Sequence, residues 1–413
     1  MSNATRNTCR IDGSPLVEVM DFGVQYVTDF VNDPKDGETS SLKVGIGQNS
    51  GLVQLYELYP QDKMYRKYWY RSGINESMVL ELQGITQAAK RFVEVQPGDA
   101  VLDIACNDGT LLSFWEKNLY RIGIDPAKNL KPHSSKHANE IVEDYFEEKH
   151  YSAYAPKKAK VITSIAMFYD LPDPHQFVKD IKAVLDPRGL WIMQMSYMPL
   201  MLEQNAFDNI LAEHIEYYSF SVFQNLAASE GLRVVDVELN DVNSGSFRCY
   251  LTHTENRTLK LSYHAQQIGD FRVKSLLEYE KSLDLLSPEP YKAFFKRCVE
   301  NKEKTLNLLK DLKKQGKTVL GYGASTKGNT TLQFYGLTPD LLPAIAERTP
   351  EKVGLKTIGT GIPIISEEEC RSRKPDYLLI LPWHFTDAFM VREKSLRDAG
   401  CKFIVPLPTL QVV

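Results

Sequence analysis

Residues 101–126 constrain the fold of this chain more than any other stretch. VLDIACNDGTLLSFW reads as a buried apolar strand ending on Asp103, a turn through Cys106, Asn107, Asp108 and Gly109, and a helix opening near Thr110; a second strand then ends on Asp125 in RIGIDPA. Open α/β sheets take ligands at such a turn, and glycine lets the backbone approach one closely. The acid closing the second strand is placed to accept hydrogen bonds from ribose hydroxyls. The loop is acidic and lacks the spaced glycines of a dinucleotide fingerprint, so it is not shaped for a pyrophosphate. An adenosyl sulfonium, which carries no phosphate, suits it.

S-Adenosyl-L-methionine, with S-adenosyl-L-homocysteine as product, is therefore the expected cofactor. The residues expected to hold it are Asp103, Ala105, Asn107, Asp108, Gly109 and Thr110 of the first turn and Asp125 and Pro126 of the second. In Ile162–Val178, which resembles the fourth-strand segment of methyltransferases that use this cofactor, Ala166, Met167, Phe168 and Tyr169 are expected near its methionine end. Phe168 and Tyr169 read equally well as core aromatics.

From Pro97 onward, strand-like runs (Ala100–Ala105, Arg121–Ile124, Val161–Ile165, Leu190–Gln194, Val234–Glu238) alternate with amphipathic segments, which predicts a parallel sheet with helices on both faces. A second α/β unit follows the Lys- and Leu-rich helical stretch 256–316, with strands at Leu341–Ala346, Tyr377–Leu381 and Lys402–Val405. The expected organisation is a small β-rich module (1–64), a central Rossmann-like cofactor domain (65–255), and a helical connector with a C-terminal Rossmann-like α/β domain (256–413). The tyrosine-dense run Tyr65–Met78 reads as a hinge or lid between the first two.

A net charge of -4 over 413 residues gives no strong field for nucleic acid or an anionic membrane. The expected partner is a small molecule, with no nucleic acid and no membrane, and the chain a monomer or dimer. The N-terminus lacks a signal-peptide layout, and six scattered cysteines fit reduced thiols; both point to the cytoplasm.

Phe207–Phe220 holds adjacent Glu213 and His214 followed by Tyr217 and Tyr218. A histidine near neutral pKa can take a proton from carbon beside a ketone if its tautomer is fixed, and the resulting enolate can attack a sulfonium methyl. Glu213 is a candidate for orienting the imidazole. Ser246 and Arg248 in NSGSFRCYL are placed to meet an anionic group, or are a plain turn and a surface arginine. GYGASTKGNT, Gly321–Thr330, sits between a strand and a helix, so its amides form an anion site to which Lys327 adds a charge. Glu347 reads as the acid ending that unit's second strand.

Together YRSG (Tyr70–Gly73), VLDIACNDGTLL, the Glu213-His214…Tyr217…Ser219 cluster, SGSFR and GYGASTKGNT resemble the nucleotide-sugar C-methyltransferases of deoxysugar biosynthesis across nearly the whole chain. The resemblance implies a keto-sugar nucleotide bound between the last two domains, His214 as base with Glu213 beside it, and Tyr70 lining the sugar pocket. It implies further substrate contacts from Ser72, Tyr217, Ser246, Arg248, Tyr322, Ala324, Ser325, Lys327, Asn329 and Glu347. The family's N-terminal module usually carries two C-x-x-C pairs, whereas here only Cys9 stands, with Asp12, Gly47 and Ser50 at the other places, so no metal and in particular no zinc is expected. Leu211-Ala212 replaces the family's Tyr-His ahead of the Glu-His pair. Methylation of oxygen or nitrogen, and a non-catalytic sugar-nucleotide-binding protein, are the alternatives these departures leave open.

Overall fold

A computed structural model describes residues 3–413. The central sheet has seven strands in the spatial order Leu232–Asn240, Ser246–His253, Leu185–Ser196, Ala159–Ile165, Ala100–Ile104, Tyr120–Ile124, Glu140–Val142. The last five run parallel. Ser246–His253 is antiparallel to both its neighbours, a departure from the all-parallel expectation. The link 241–245 is too short for a crossover and can only fold back. Chain direction across the sheet reverses between Ala100–Ile104 and Ala159–Ile165, and a crevice opens outside the carboxyl ends of strands at such a switch point.

The helix Glu76–Phe92 starts at Asn75, whose side chain accepts from the Ser77 amide, and buries Leu82, Ile85, Ala89 and Phe92 at helical spacing. Pro174–Val184 starts at Asp173, which caps Gln176, with proline at the first helical position.

The C-terminal sheet repeats the logic in the order Ile364–Ser366, Ile345–Glu347, Val319–Tyr322, Tyr377–Ile380, Lys402–Val405, Gln411–Val412. Its switch point lies between Val319–Tyr322 and Tyr377–Ile380. Residues 341–344, expected as strand, lie outside it.

Leu16–Tyr26, Thr39–Gly47 and Val53–Leu55 form an antiparallel N-terminal sheet, joined at its edge by Glu216–Tyr217 from the central region. Val19, Phe22, Phe30 and Leu42 of this sheet and its loop share one apolar core with Leu320, Ile345 and Leu379. The N-terminal sheet is thus built into the C-terminal domain, which no local pattern announces. Positions 9, 47 and 50 do meet: Cys9 Sγ lies 3.0 Å from Ser50 Oγ, and a Cβ on Gly47 would come within 2.9 Å of that sulfur. Asp12 is turned to Ser14, whose hydroxyl it accepts at 2.7 Å. Among the described residues no group of three His, Cys, Asp or Glu is arranged to hold a metal, and no helix is long and apolar enough to cross a membrane.

Candidate active site

The two switch points face each other across one cavity of about 360 Å³. On the cofactor side it is lined by Asp103, Ala105, Asn107, Asp125 and Pro126, and by Ala166 and Met167 from across the reversal. Ala105, Asn107 and Ala166 hold positive φ of 55°, 53° and 55°, a cost of order 1 kcal/mol each that turns the backbone sharply at the strand ends. Asp125 secures this turn: its Oδ2 accepts from the Asn107 amide at 2.8 Å and its Oδ1 from the Ala127 amide at 2.8 Å. Burial raises its pKa to about 6, against the pull of those two amides. Asp103, pushed to about 7 by burial, accepts from Thr163 Oγ1 at 2.6 Å.

Asp108 and Thr110 brace the loop and do not line the cavity. Asp108 Oδ1 accepts from the Thr110 hydroxyl at 2.6 Å, and Oδ2 from the Gly73 amide at 2.9 Å. Asn107 Oδ1 accepts from the Ser72 amide at 3.0 Å, so the segment Tyr70–Gly73 is tied to the cofactor loop. A Cβ at position 73 would sit 2.9 Å from Thr110 Oγ1 and 3.0 Å from Asp108 Oδ2, so a larger residue there would crowd this hydrogen-bonded pair. At Gly109, φ is 80° and a Cβ would lie 2.8 Å from Ser134 Cα. Phe168 is fully buried among Phe177, Tyr218 and Phe223. It belongs to the core, which corrects its assignment to the cofactor.

His214 lines the cavity with Glu213, Tyr70 and Ser72. Its Nδ1 lies 2.9 Å from the Asn209 carbonyl oxygen. A carbonyl can only accept, so Nδ1 carries the proton and Nε2 keeps its lone pair. Burial first, then the nearby Lys327 charge, lowers its pKa to about 3, so the imidazole stays neutral. Its backbone is clamped: the carbonyl accepts from Tyr217 Oη at 2.8 Å, and the next residue, Ile215, is held between Leu55 and Tyr169 by main-chain bonds. Tyr217 therefore supports the histidine from behind and does not face the substrate space. The orienting role expected of Glu213 passes to Asn209; Glu213 instead accepts from Thr28 Oγ1 at 3.3 Å, and burial raises its pKa to about 7.

The C-terminal domain contributes Ser325, Thr326 and Lys327 after its first strand and Pro382, His384 and Phe385 after its fourth. The other residues expected against substrate are committed elsewhere. Ser246 Oγ donates to Val242 O at 2.8 Å, and Arg248 is buried on Gln194 and Glu81 within the sheet. Tyr322 turns its hydroxyl to Glu393 at 2.6 Å, and Asn329 Nδ2 donates to Asp29 O at 2.9 Å. The Ala324 amide donates to Glu347 at 2.7 Å, and Glu347 also takes the Thr349 amide at 2.9 Å. Glu347 thus repeats in the second sheet the brace that Asp125 makes in the first.

Tyr169 lines the cavity too, as do Tyr65, Tyr68, Asp170, Asn243 and His384, which are not among the expected site residues. Tyr65 and Tyr68 lie in the tyrosine-dense run. His384 follows a strand next to the switch point, the place where the sheet rule looks for ligand groups.

A buried carboxylate beside two turned-out strand ends, with aromatic Tyr70, Tyr145 and Phe146 alongside, fits an adenosine group with its ribose on Asp125. The strand order and this site define a class I S-adenosylmethionine-dependent methyltransferase. A family model described as a methyltransferase domain matches residues 81–237, and one described as a C-methyltransferase C-terminal domain matches 241–408. C-methyltransferase NovU of Streptomyces niveus is 28% identical over 417 residues, covering 98% of this chain and 96% of that one. A ubiquinone biosynthesis O-methyltransferase of Histophilus somni is 30% identical over 148 residues, 32% of this chain and 60% of that one. Among solved structures, an S-adenosylmethionine-dependent methyltransferase from Clostridium acetobutylicum has a TM-score of 0.34 at 11% identity, covering 44% of this chain and 93% of that one. Magnesium protoporphyrin IX methyltransferase from Synechocystis with bound S-adenosylhomocysteine has 0.33 at 10%, covering 43% and 82%. Over most of its length the chain is thus similar to S-adenosylmethionine-dependent C-methyltransferases.

Proposed function

We propose that the protein methylates the carbon next to the ketone of a nucleotide-linked keto-deoxysugar, with His214 as the base. The observation that carries this reading is the single cavity joining the Asp125 loop to a neutral imidazole and to the helix start Ser325–Lys327 of a second α/β domain. A methyl donor alone needs only the first sheet. The second glycine turn supplies a helix N-terminus suited to an anionic substrate. His214 Nε2, unprotonated and held in register by Asn209, can receive the α-proton in the cavity. Tyr70, whose carbonyl accepts from Asn107 Nδ2 at 3.1 Å, lines the cavity beside the cofactor loop, which supports a place for it next to the sugar. S-Adenosylmethionine, when bound, supplies an electrophilic methyl group whose bonding pair leaves with sulfur. The six cysteines are all buried and unpaired, which suits a reducing cytoplasm.

The test is turnover of a panel of nucleotide-linked 4-keto sugars with methyl-labelled cofactor. A new carbon–carbon methyl signal in the carbon NMR spectrum of the product supports the reading. An O- or N-methyl signal, or nucleotide binding without transfer, refutes it.

A further inference from the structure

Lys327 is spoken for by almost nothing. It stands in the first turn of the helix Thr326–Tyr335 and lines the cavity. Among the described residues its ammonium has one hydrogen-bond partner, the Asn243 carbonyl at a long 3.4 Å, and no ion pair. Asn243, at φ 55°, turns that carbonyl toward it from the short link ahead of the antiparallel strand. An ammonium carries three donors, so the side chain retains most of its capacity.

Its surroundings are built polar but left incomplete. The titratable groups whose charge couples to it are Asp208, His214 and His384, and the two histidines line the same cavity. Asp208 is fully buried, accepts from Trp383 Nε1 at 3.1 Å through Oδ2, and leaves Oδ1 without a hydrogen-bond partner. His384 Nδ1 is likewise buried and unpartnered among the described residues. Burial pushes Lys327 down and Asp208 up, and each counters the shift of the other, so the lysine keeps a countercharge without being consumed by it. The consequence is an ammonium with donor capacity to spare in the same cavity as the Nε2 lone pair of His214.

We infer that Lys327 is the electrophile of the reaction: its ammonium receives the ketone oxygen of the substrate while His214 Nε2 takes the α-proton. This rests on the C-methylation reading above. As the carbon–hydrogen bond breaks, its electron pair forms the carbon–carbon double bond, and the carbonyl π pair moves onto oxygen. The proton goes to His214, and the new oxyanion lies on Lys327. A base alone leaves that charge uncompensated, and in a water-poor cavity a preset donor at the developing oxyanion is worth roughly a hundred- to a thousandfold in rate. The assignment also moves Lys327 from the phosphate role its glycine turn suggests to the reacting carbonyl.

The experiment measures exchange of the α-hydrogen with deuterated water in a nucleotide-linked 4-keto sugar, with S-adenosylhomocysteine present so that no methyl is transferred. The wild-type protein should exchange, and K327M should exchange roughly a hundredfold or more slowly at saturating substrate. Its affinity for S-adenosylhomocysteine should stay within twofold, which reports an intact fold. A titration of labelled His214 by NMR, which needs no substrate, should show its pKa raised in K327M, since the neighbouring positive charge is gone. Loss confined to KM would assign Lys327 to ground-state binding and overturn the proposal, as would an unshifted His214. Equal exchange in wild type and K327M overturns this assignment alone; no exchange in the wild type overturns the C-methylation reading and this assignment with it.

Discussion

Asp125 offers the sharpest perturbation of the cofactor site, because its two carboxylate oxygens are each accounted for. Both accept a backbone amide at 2.8 Å, from Asn107 and Ala127, and the residue still lines the cavity. Each oxygen has a second lone pair free for a ribose hydroxyl. Hydrogen bonds to a charged acceptor contribute about 1.5–3 kcal/mol each, so removing each hydroxyl hydrogen bond through Asp125→Ala raises the Kd roughly ten- to a hundredfold. Releasing the Asn107 amide loosens the strained turn and adds to that effect. Calorimetric titration with S-adenosylhomocysteine near neutral pH measures it. Glu347→Ala is the internal control: it removes the same pair of amide hydrogen bonds in the other sheet and should leave that affinity within twofold. A pH dependence follows as well. Burial holds the Asp125 pKa near 6, and ribose hydroxyls favour the ionised form, so affinity should fall as pH drops through about 6. Asp125→Asn should lack this step. An unchanged Kd in Asp125→Ala, or equal losses of affinity in Asp125→Ala and Glu347→Ala, would refute the ribose role.

His214→Asn should lower the rate of methyl transfer about 10²- to 10⁴-fold in a single-turnover assay while cofactor affinity holds, because the backbone clamps at 214 and 215 do not use the imidazole. The wild-type rate should show no inflection near pH 6.5 from this histidine, since its pKa is lowered to about 3 and it is neutral on both sides. Folding stability contributed by this residue has the matching sign: the unfolded state takes up a proton first, so stability is lost as pH falls below the ordinary histidine value. Phe168→Ala, emptying a fully buried aromatic cluster, should cost about 3–5 kcal/mol in urea unfolding, and a cost near zero would place Phe168 outside the core.

The cofactor half of the site was legible because it is local. Asp103, Asn107 and Asp125 sit at strand ends whose apolar runs and turn residues are read from neighbours in sequence, and the parallel order of those strands follows from the alternation. His214 stood out by its chemistry, yet its orienting partner did not. Asn209 contributes a main-chain carbonyl, which any residue type carries. Phe168 and Tyr169 are adjacent and alike in sequence; one fills the core and the other packs its ring 4.3 Å from His214, a choice made by strand-end backbone direction. The acceptor half is tertiary throughout. Lys327, His384 and Asn243 come from three separate turns; Arg248 and Tyr322 drop out because long-range partners claim them, and Ser246 because the Val242 carbonyl four residues back does. Sequence alone determined two nucleotide-type sheets, a phosphate-free cofactor turn and a histidine to hand. Only the packing of the N-terminal and C-terminal sheets into one core, with Glu216–Tyr217 drawn into the former, set the two switch points face to face, since that burial joins apolar surfaces hundreds of residues apart.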